Sequence, residues 1–317
     1  MKKGYRDAKD ILVIGDINVD IVGKIDRLPS PGNCVFGPFP KISMGGTGAN
    51  TALVLHKLGL RVAFLTAVGK DMFGEFLIEN LKKQGIDVSL VRKIRNHGTG
   101  MIIALVDRNG ERSFIAFRLN CADIHIKLDD HLQKILQSMH FKALFICGPM
   151  VGEGLESYET ALRIAKYCNE RGISVFFDPN IRTPTGSVDE GRKKCYLEIL
   201  RYVDIFLPNK QELLAIFGNG DISITAKKVI KDYNIREIWL KMGDLGSMLI
   251  SREQLVRIPA KKVKVVDTTG AGDVFNAGVI YGILKGWNAE KTGKYASELA
   301  SICVGKTGGI SAFITQI

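Results

Sequence analysis

Short β-branched runs alternate with helix-like segments along most of this chain, and that alternation limits the fold more than any other feature. Such runs occur at Ile11 to Gly15, Val62 to Val68, Ala143 to Gly148, Ser174 to Asp178, Ile205 to Pro208 and Glu237 to Met242. Their apolar character is nearly continuous, which suits strands covered on both faces. Helical periodicity is expected at Ala49 to Leu58, Phe73 to Gln84, Glu156 to Glu170, Thr225 to Tyr233, Ala271 to Leu284 and Ala289 to Val304. Gly85 and Gly172 are natural stops for two of these. Strand and helix in turn imply an α/β fold of three layers, α/β/α, around a mostly parallel sheet.

Two stretches break the rhythm. One, Val22 to Lys41, carries Pro29, Pro31, Pro38 and Pro40. The other, Gly98 to Phe117, places Asn109-Gly110 between two apolar runs, a strong hairpin signal. Together they predict a small β-sheet lid, formed by segments of about 17–43 and 97–120, over a single domain of residues 1–317. A flap of this kind can shield a reaction from water.

Composition removes several function classes. Hydrophobic residues are 46% and charged residues 24%, the balance of a globular protein. No apolar stretch reaches the roughly 18–20 residues of a membrane span, and the start lacks the pattern of a signal peptide, so the expectation is a cytoplasmic protein with no membrane partner. The six cysteines form no Cys-x-x-Cys pair and most read as buried small residues, a free reactive thiol being the alternative. The net charge of +11 attracts polyanions, but the basic residues are dispersed and no nucleic-acid-binding signature occurs, so no nucleic-acid partner is expected. No Walker loop, protein-kinase motif set or dinucleotide fingerprint is present.

The densest chemistry lies in Val266-Asp-Thr-Thr-Gly-Ala-Gly-Asp-Val-Phe-Asn-Ala-Gly278. A strand-like run, Val263 to Val266, leads into a glycine-rich turn and then a helix. The amides of Gly270, Ala271, Gly272 and Asp273 would face outward at the helix N-terminus, where the backbone favours an anion. A carboxylate is out of place if phosphate is merely held there. It fits if phosphate is transferred to a hydroxyl whose proton Asp273 accepts. The competing reading is a plain helix cap.

This string resembles the C-terminal signature of the ribokinase-like (PfkB) carbohydrate kinases. Gly45-Gly-Thr-Gly-Ala-Asn-Thr-Ala52, with His56-Lys-Leu-Gly59 and Val68-Gly-Lys-Asp-Met-Phe-Gly74, resembles a second signature, and Gly15-Asp-Ile-Asn-Val-Asp20 resembles the family's opening. The likeness spans essentially the entire chain. It implies ATP as donor, Mg²⁺ as the essential ion, Asp273 as base and an anion hole at Gly270, Ala271 and Gly272. Asn18, Asp20, Gly45, Gly46, Thr47 and Asn50 fall where the family holds the acceptor's hydroxyls; a turn after the first strand is the other reading of Asn18 and Asp20. Asn209 and Glu212, in Pro208-Asn-Lys-Gln-Glu212, resemble the motif that places Mg²⁺ through water, and equally a capping box. Asn180, Lys241, Gly243 and Gly246 fall in segments that flank the nucleotide. Asp267, Thr269, Gly309 and Ser311 match a monovalent-cation (K⁺) site. Thr47 stands where many ribokinases carry lysine, which weakens the case for ribose. Arg112-Ser-Phe, Phe117-Arg118 and Asp178-Pro-Asn-Ile-Arg182 look more like fructokinase or keto-deoxy-gluconate kinase relatives. Arg118 could pair with a substrate carboxylate or lie on the surface. The expected activity is ATP-dependent transfer of a phosphoryl group to a hydroxyl of a small sugar-like molecule. A nucleoside kinase and a non-catalytic regulator remain the alternatives, and a homodimer through the lid is a further expectation.

Overall fold

The computed structural model describes residues 8–181, 188–306 and 310–314. In chain order, β1 (Ile11–Ile14), β2 (Asn18–Lys24) and β3 (Lys41–Gly45) precede α1 (Thr47–Lys57). Next come β4 (Val62–Gly69), α2 (Met72–Lys83), β5 (Val91–Ile94), β6 (Gly100–Val106) and β7 (Arg112–Phe117). The middle of the chain holds α3 (Asp130–Ser138), β8 (Ala143–Cys147), α4 (Pro149–Gly152), α5 (Leu155–Asn169), β9 (Ser174–Asp178) and α6 (Glu190–Ile199). Then follow β10 (Ile205–Phe206), α7 (Lys210–Phe217), α8 (Ile222–Tyr233), β11 (Glu237–Lys241), β12 (Ser247–Ser251) and β13 (Leu255–Ile258). Three helices close it: α9 (Ala271–Leu284), α10 (Ala289–Val304) and α11 (Ile310–Ile314).

Nine strands form the main sheet in the order β13-β12-β11-β10-β9-β8-β1-β4-β5. Pairing is parallel from β11 through β5 and antiparallel for β11–β12 and β12–β13. Side chains of each central strand alternate between two apolar layers. Ile11, Val13, Phe145 and Phe176 join a core with α1, α2, α9 and α10. Leu12, Ile14, Ile146 and Phe177 join the opposite core with α3 and α5 to α8. The expected α/β/α architecture is therefore present. From β1 the chain runs to β4 on one side, while β8 flanks β1 on the other. That reversal opens a crevice at the carboxyl ends of the strands, where ligands bind in open α/β sheets.

A second sheet has the order β3-β2-β6-β7, with β2–β6 parallel and the outer pairs antiparallel. Only the two ends of the proline-rich stretch, residues 22–24 and Lys41, are in this sheet, and its four prolines are not. The rest loops between β2 and β3, because proline offers no amide to a ladder. The run Val263 to Val266 departs from expectation as well: it forms no strand. It pairs with no strand among the described residues, and the amides of Val266 and Asp267 instead donate to the Val304 carbonyl at the end of α10, at 2.9 and 3.1 Å.

Candidate active site

At the end of β1 the backbone of α1 comes unusually close. A Cβ placed on either Gly15 or Gly48 would lie 2.3 Å from the other's Cα, so only two glycines permit this approach. Asp16 fixes it: its Oδ1 accepts from the Gly48 amide at 2.9 Å and its carbonyl from the Ala49 amide at 3.0 Å. The start of α1 is thereby set over the sheet edge, with Thr47 buried and Asn50 facing α9.

Asp273 is the third residue of α9 and only 5% exposed. Its Oδ2 accepts from Asn50 Nδ2 at 2.7 Å, across 223 residues of sequence. Gly270 is the N-cap, with φ of 76°, a left-handed conformation that favours glycine. A Cβ there would also strike Ile310 at 2.6 Å. Ala271's amide turns back to the Thr268 carbonyl at 3.2 Å. The amides of Gly270 and Gly272 donate to no acceptor among the described residues. Two of the three expected anion-hole amides are thus presented, and the third closes the turn that presents them.

The first turn of the small sheet supplies the other wall. Asn18 stands in register with Gly45 on one side and Gly100 on the other. Its Nδ2 donates to Asp20 Oδ1, while its buried Oδ1 has no partner among the described residues. The Asp20 carboxylate lies against Gly45, where a Cβ would meet it at 2.3 Å. Arg118 is buried here and not on the surface, at 8% exposure. Its Nη2 donates to Asp123 at 3.1 Å and Glu153 at 3.2 Å, and its Nε and Nη1 are unpartnered among the described residues. Burial works against its charge, but the carboxylates of Asp123, Asp16 and Glu153 outweigh that and hold it protonated. Nη1 lies 3.0 Å from where a Cβ of Gly100 would stand, and Asn18 Cβ is 3.5 Å from the same point. Asn18 and Arg118, both beside Gly100, therefore carry acceptor and donor atoms unsatisfied among the described residues, a pattern that an oxygen-rich molecule completes.

Behind Asp273 runs a buried polar chain. Asn276, one helical turn on, donates to Asp178 Oδ2, and Lys241 Nζ reaches Asp178 Oδ1 at 3.1 Å and Asn276 Oδ1 at 3.3 Å. Burial would depress the lysine, yet Asp178 and Glu212 keep its pKa raised. Lys241 thus braces the floor of the site from within. Asn209 and Glu212 form a capping box on α7, with the Asn209 amide 2.7 Å from Glu212 Oε2 and the Glu212 amide 2.8 Å from Asn209 Oδ1. Glu212 Oε1 also accepts from the Ile181 amide at 3.2 Å. Desolvation, then repulsion from Asp178, lift Glu212 to about 7 against the pull of Lys241 and the two amides. Asn180 follows Asp178 with φ of 35° and donates its amide to Asp178 Oδ1 at 3.2 Å. Gly243 and Gly246 bracket a one-turn 3₁₀ helix between β11 and β12.

Among the described residues no group of three or more His, Cys, Asp or Glu side chains could cage a metal. Glu212 keeps lone pairs beyond those its two amides use, so Asn209 and Glu212 fit Mg²⁺ held through its own water and not by direct ligation. The monovalent-cation residues fit less well. Gly309 lies outside the described residues, as does the side chain of Ser311. Both oxygens of Asp267 face Arg112, at 3.0 Å each, and the Thr269 carbonyl accepts from the Ile310 amide at 3.1 Å.

Sequence reasoning assigned no role to Asp16, Asp178, Asn276, Asp123 or Glu153. Asn276 had a signal in its spacing of three from Asp273 on one helix face. Asp123 and Glu153 had none, because only the fold brings them to Arg118.

A glycine-rich helix start with a buried, oriented carboxylate, at the carboxyl edge of a three-layer sheet and faced by a small second sheet, is an arrangement that suits phosphoryl transfer to an alcohol. Residues 8–316 match the model of the pfkB family carbohydrate kinases, and the chain belongs to that family. It is 31% identical over 300 residues to a ribokinase of Lactococcus lactis, covering 94% of this chain and 91% of the relative. A ribokinase of Arabidopsis thaliana, solved with ribose and ATP, superposes with a TM-score of 0.80 at 24% identity, covering 96% of this chain and 95% of that one. An Escherichia coli structure holding ATP and Mg²⁺ reaches 0.82 at 23% identity, covering 98% of this chain and all of that one.

Proposed function

We propose that this kinase moves the γ-phosphoryl group of ATP in line onto a hydroxyl of a small sugar or sugar acid, with Asp273 as the base. The observation that carries the reading is the Asp273 carboxylate, buried at the head of α9, held by Asn50 at 2.7 Å and adjoining the open Gly270 and Gly272 amides. Asn50 fixes the carboxylate's direction. Asp273 takes the proton as the acceptor oxygen attacks, and the amides stabilise charge on the migrating group. Bound Mg²⁺ would neutralise phosphate charge, with Asn209 and Glu212 orienting its water. Asn18, Asp20 and Arg118 would hold acceptor oxygens, with Gly45, Gly46 and Thr47 shaping the space around them. The acceptor-side arginine favours a hydroxyl-rich molecule carrying a keto or carboxylate group. Lys241 and Asn180 would act from beneath, and Gly243 and Gly246 would lie along the nucleotide. K⁺ is left out of this reading, because the Asp267 carboxylate and the hydroxyl and carbonyl of Thr269 are engaged.

The small sheet would serve as the lid. Its edge strand β7 exposes Phe114 at 64%, Ile115 at 45% and Phe117 at 53%, a surface suited to a second copy of the chain. The cytoplasm, where ATP is plentiful, is its proposed place. Among the described residues no helix is long and apolar enough to cross a membrane. The test is ADP release across pentoses, hexoses, ketoses, sugar acids and nucleosides. Turnover confined to sugars or sugar acids supports the proposal. Turnover confined to nucleosides, or none with any acceptor, contradicts it.

A further inference from the structure

Arg112 opens β7 at the outer edge of the small sheet, yet its side chain reaches the turn that leads into α9. Nη1 donates to Asp267 Oδ1 at 3.0 Å and to Thr269 Oγ1 at 3.2 Å, while Nη2 faces Asp267 Oδ2 at 3.0 Å. This is the two-pronged fit of guanidinium on carboxylate, which fixes direction as well as distance. The Thr269 amide and hydroxyl converge on the same Asp267 Oδ1, at 3.0 and 2.7 Å. Asp267 is 8% exposed, so the pair is partly shielded from water. The residue after Thr269 is Gly270, whose amide faces the proposed anion hole.

A monovalent cation at this turn would need the oxygens that these contacts use. It would also sit within about 4 Å of a fixed positive charge, a repulsion of roughly 4 kcal/mol at a near-surface dielectric. We propose that Arg112 is a positioning residue for phosphoryl transfer: its guanidinium, carried on the small sheet, holds the Asp267–Thr269 turn in the role that the family resemblance gives to K⁺. The inference rests on the reading of α9's start as the anion hole. Because the arginine belongs to the small sheet, the turn is braced only while that sheet lies over the site.

The test compares wild type, Arg112→Ala and Arg112→Lys in KCl and in choline chloride of equal ionic strength. The first readout is melting temperature, which needs no substrate. Wild type should melt alike in both salts, and Arg112→Ala should melt higher in KCl. The second is phosphoryl transfer to the sugar turned over fastest in the acceptor screen. In choline chloride Arg112→Ala should lose ~10-fold or more in kcat with little change in sugar KM, because misplacing positioned groups acts on the chemical step. KCl should restore much of that loss, and Arg112→Lys should fall between. A wild type that is activated or stabilised by KCl over choline overturns the proposal. So does an Arg112→Ala enzyme with unchanged kcat in choline, or a loss that KCl does not restore. Should Asp273→Asn prove fully active, the assignment of Asp273 as base fails, while the melting comparison still reports whether Arg112 excludes K⁺.

Discussion

Between about pH 4.5 and 7 the stability of this protein should fall as pH rises, because burial raises the carboxyl of Glu153 and, by more, that of Glu212. The Glu212 carboxyl is buried at the start of α7, and desolvation with repulsion from Asp178 raises its pKa from 4.5 to about 7. Within that window the folded protein keeps a proton that the unfolded chain has released. The folded state binds more protons, so stability declines with rising pH and levels off above about 7. At ~1.4 kcal/mol per unit, the shift corresponds to about 3 kcal/mol. The carboxylates held low, Asp10, Asp71, Asp87, Glu156, Asp267 and Glu290, have the opposite sign: what they contribute is lost only on acidification below their unfolded values, near 3.8 for Asp and 4.5 for Glu. They do not enter the window. Glu212→Gln removes the titration and turns an NH₂ toward one of the two backbone amides, a cost that does not vary with pH. Urea denaturation of both proteins at steps from pH 4.5 to 7.5 isolates the effect. The stability of wild type relative to Glu212→Gln should fall by about 3 kcal/mol across that range. A difference that stays flat would refute the argument that burial governs this carboxyl. The same proton links to nucleotide binding: a hydrated cation beside Asn209 and Glu212 favours the ionised form, so Mg·ATP should bind with proton release near pH 7.

Lys241→Met strands the Asp178 carboxylate in the interior and should cost about 3–5 kcal/mol, read from the denaturant midpoint. Gly48→Ala forces a methyl to 2.3 Å from the Gly15 Cα, where backbone cannot yield cheaply; it should lower stability by about 1–3 kcal/mol or more and depress the melting temperature. Asn18→Ala removes an acceptor atom with no partner among the described residues and should raise the sugar KM about 10-fold, leaving the ATP KM unchanged.

The repeating strand and helix pattern made the main sheet legible, because buried parallel strands announce themselves as apolar runs. Several of the elements that escaped have weak patterns. α6 buries only Tyr196 and Ile199 of its ten residues, and β12 and β13 form an edge hairpin whose outer strand is half exposed. Local motifs singled out Asp273, Gly270 and Asn50, which the fold brings together, since each sits in a dense string of glycine and polar residues. What spacing could not convey was convergence. Nothing in sequence joins Arg112 to Asp267 across 155 residues, or Arg118 to Glu153 across 35. Nor did residue type show that Lys241 turns inward to Asp178. Val263 to Val266 misled for the reverse reason: β-branched residues favour a strand only where a neighbour can pair with it.

The measurement that bears most directly on the account is kcat of Asp273→Asn with the best acceptor, alongside its melting curve and its affinity for Mg·ATP. The amide keeps the size of the side chain but cannot take a proton. The account expects a folded protein that binds ATP and turns over at least ~10²-fold more slowly. A folded Asp273→Asn enzyme with turnover near that of the wild type would mean that the acceptor's proton leaves by another route, and the catalytic assignment would fall.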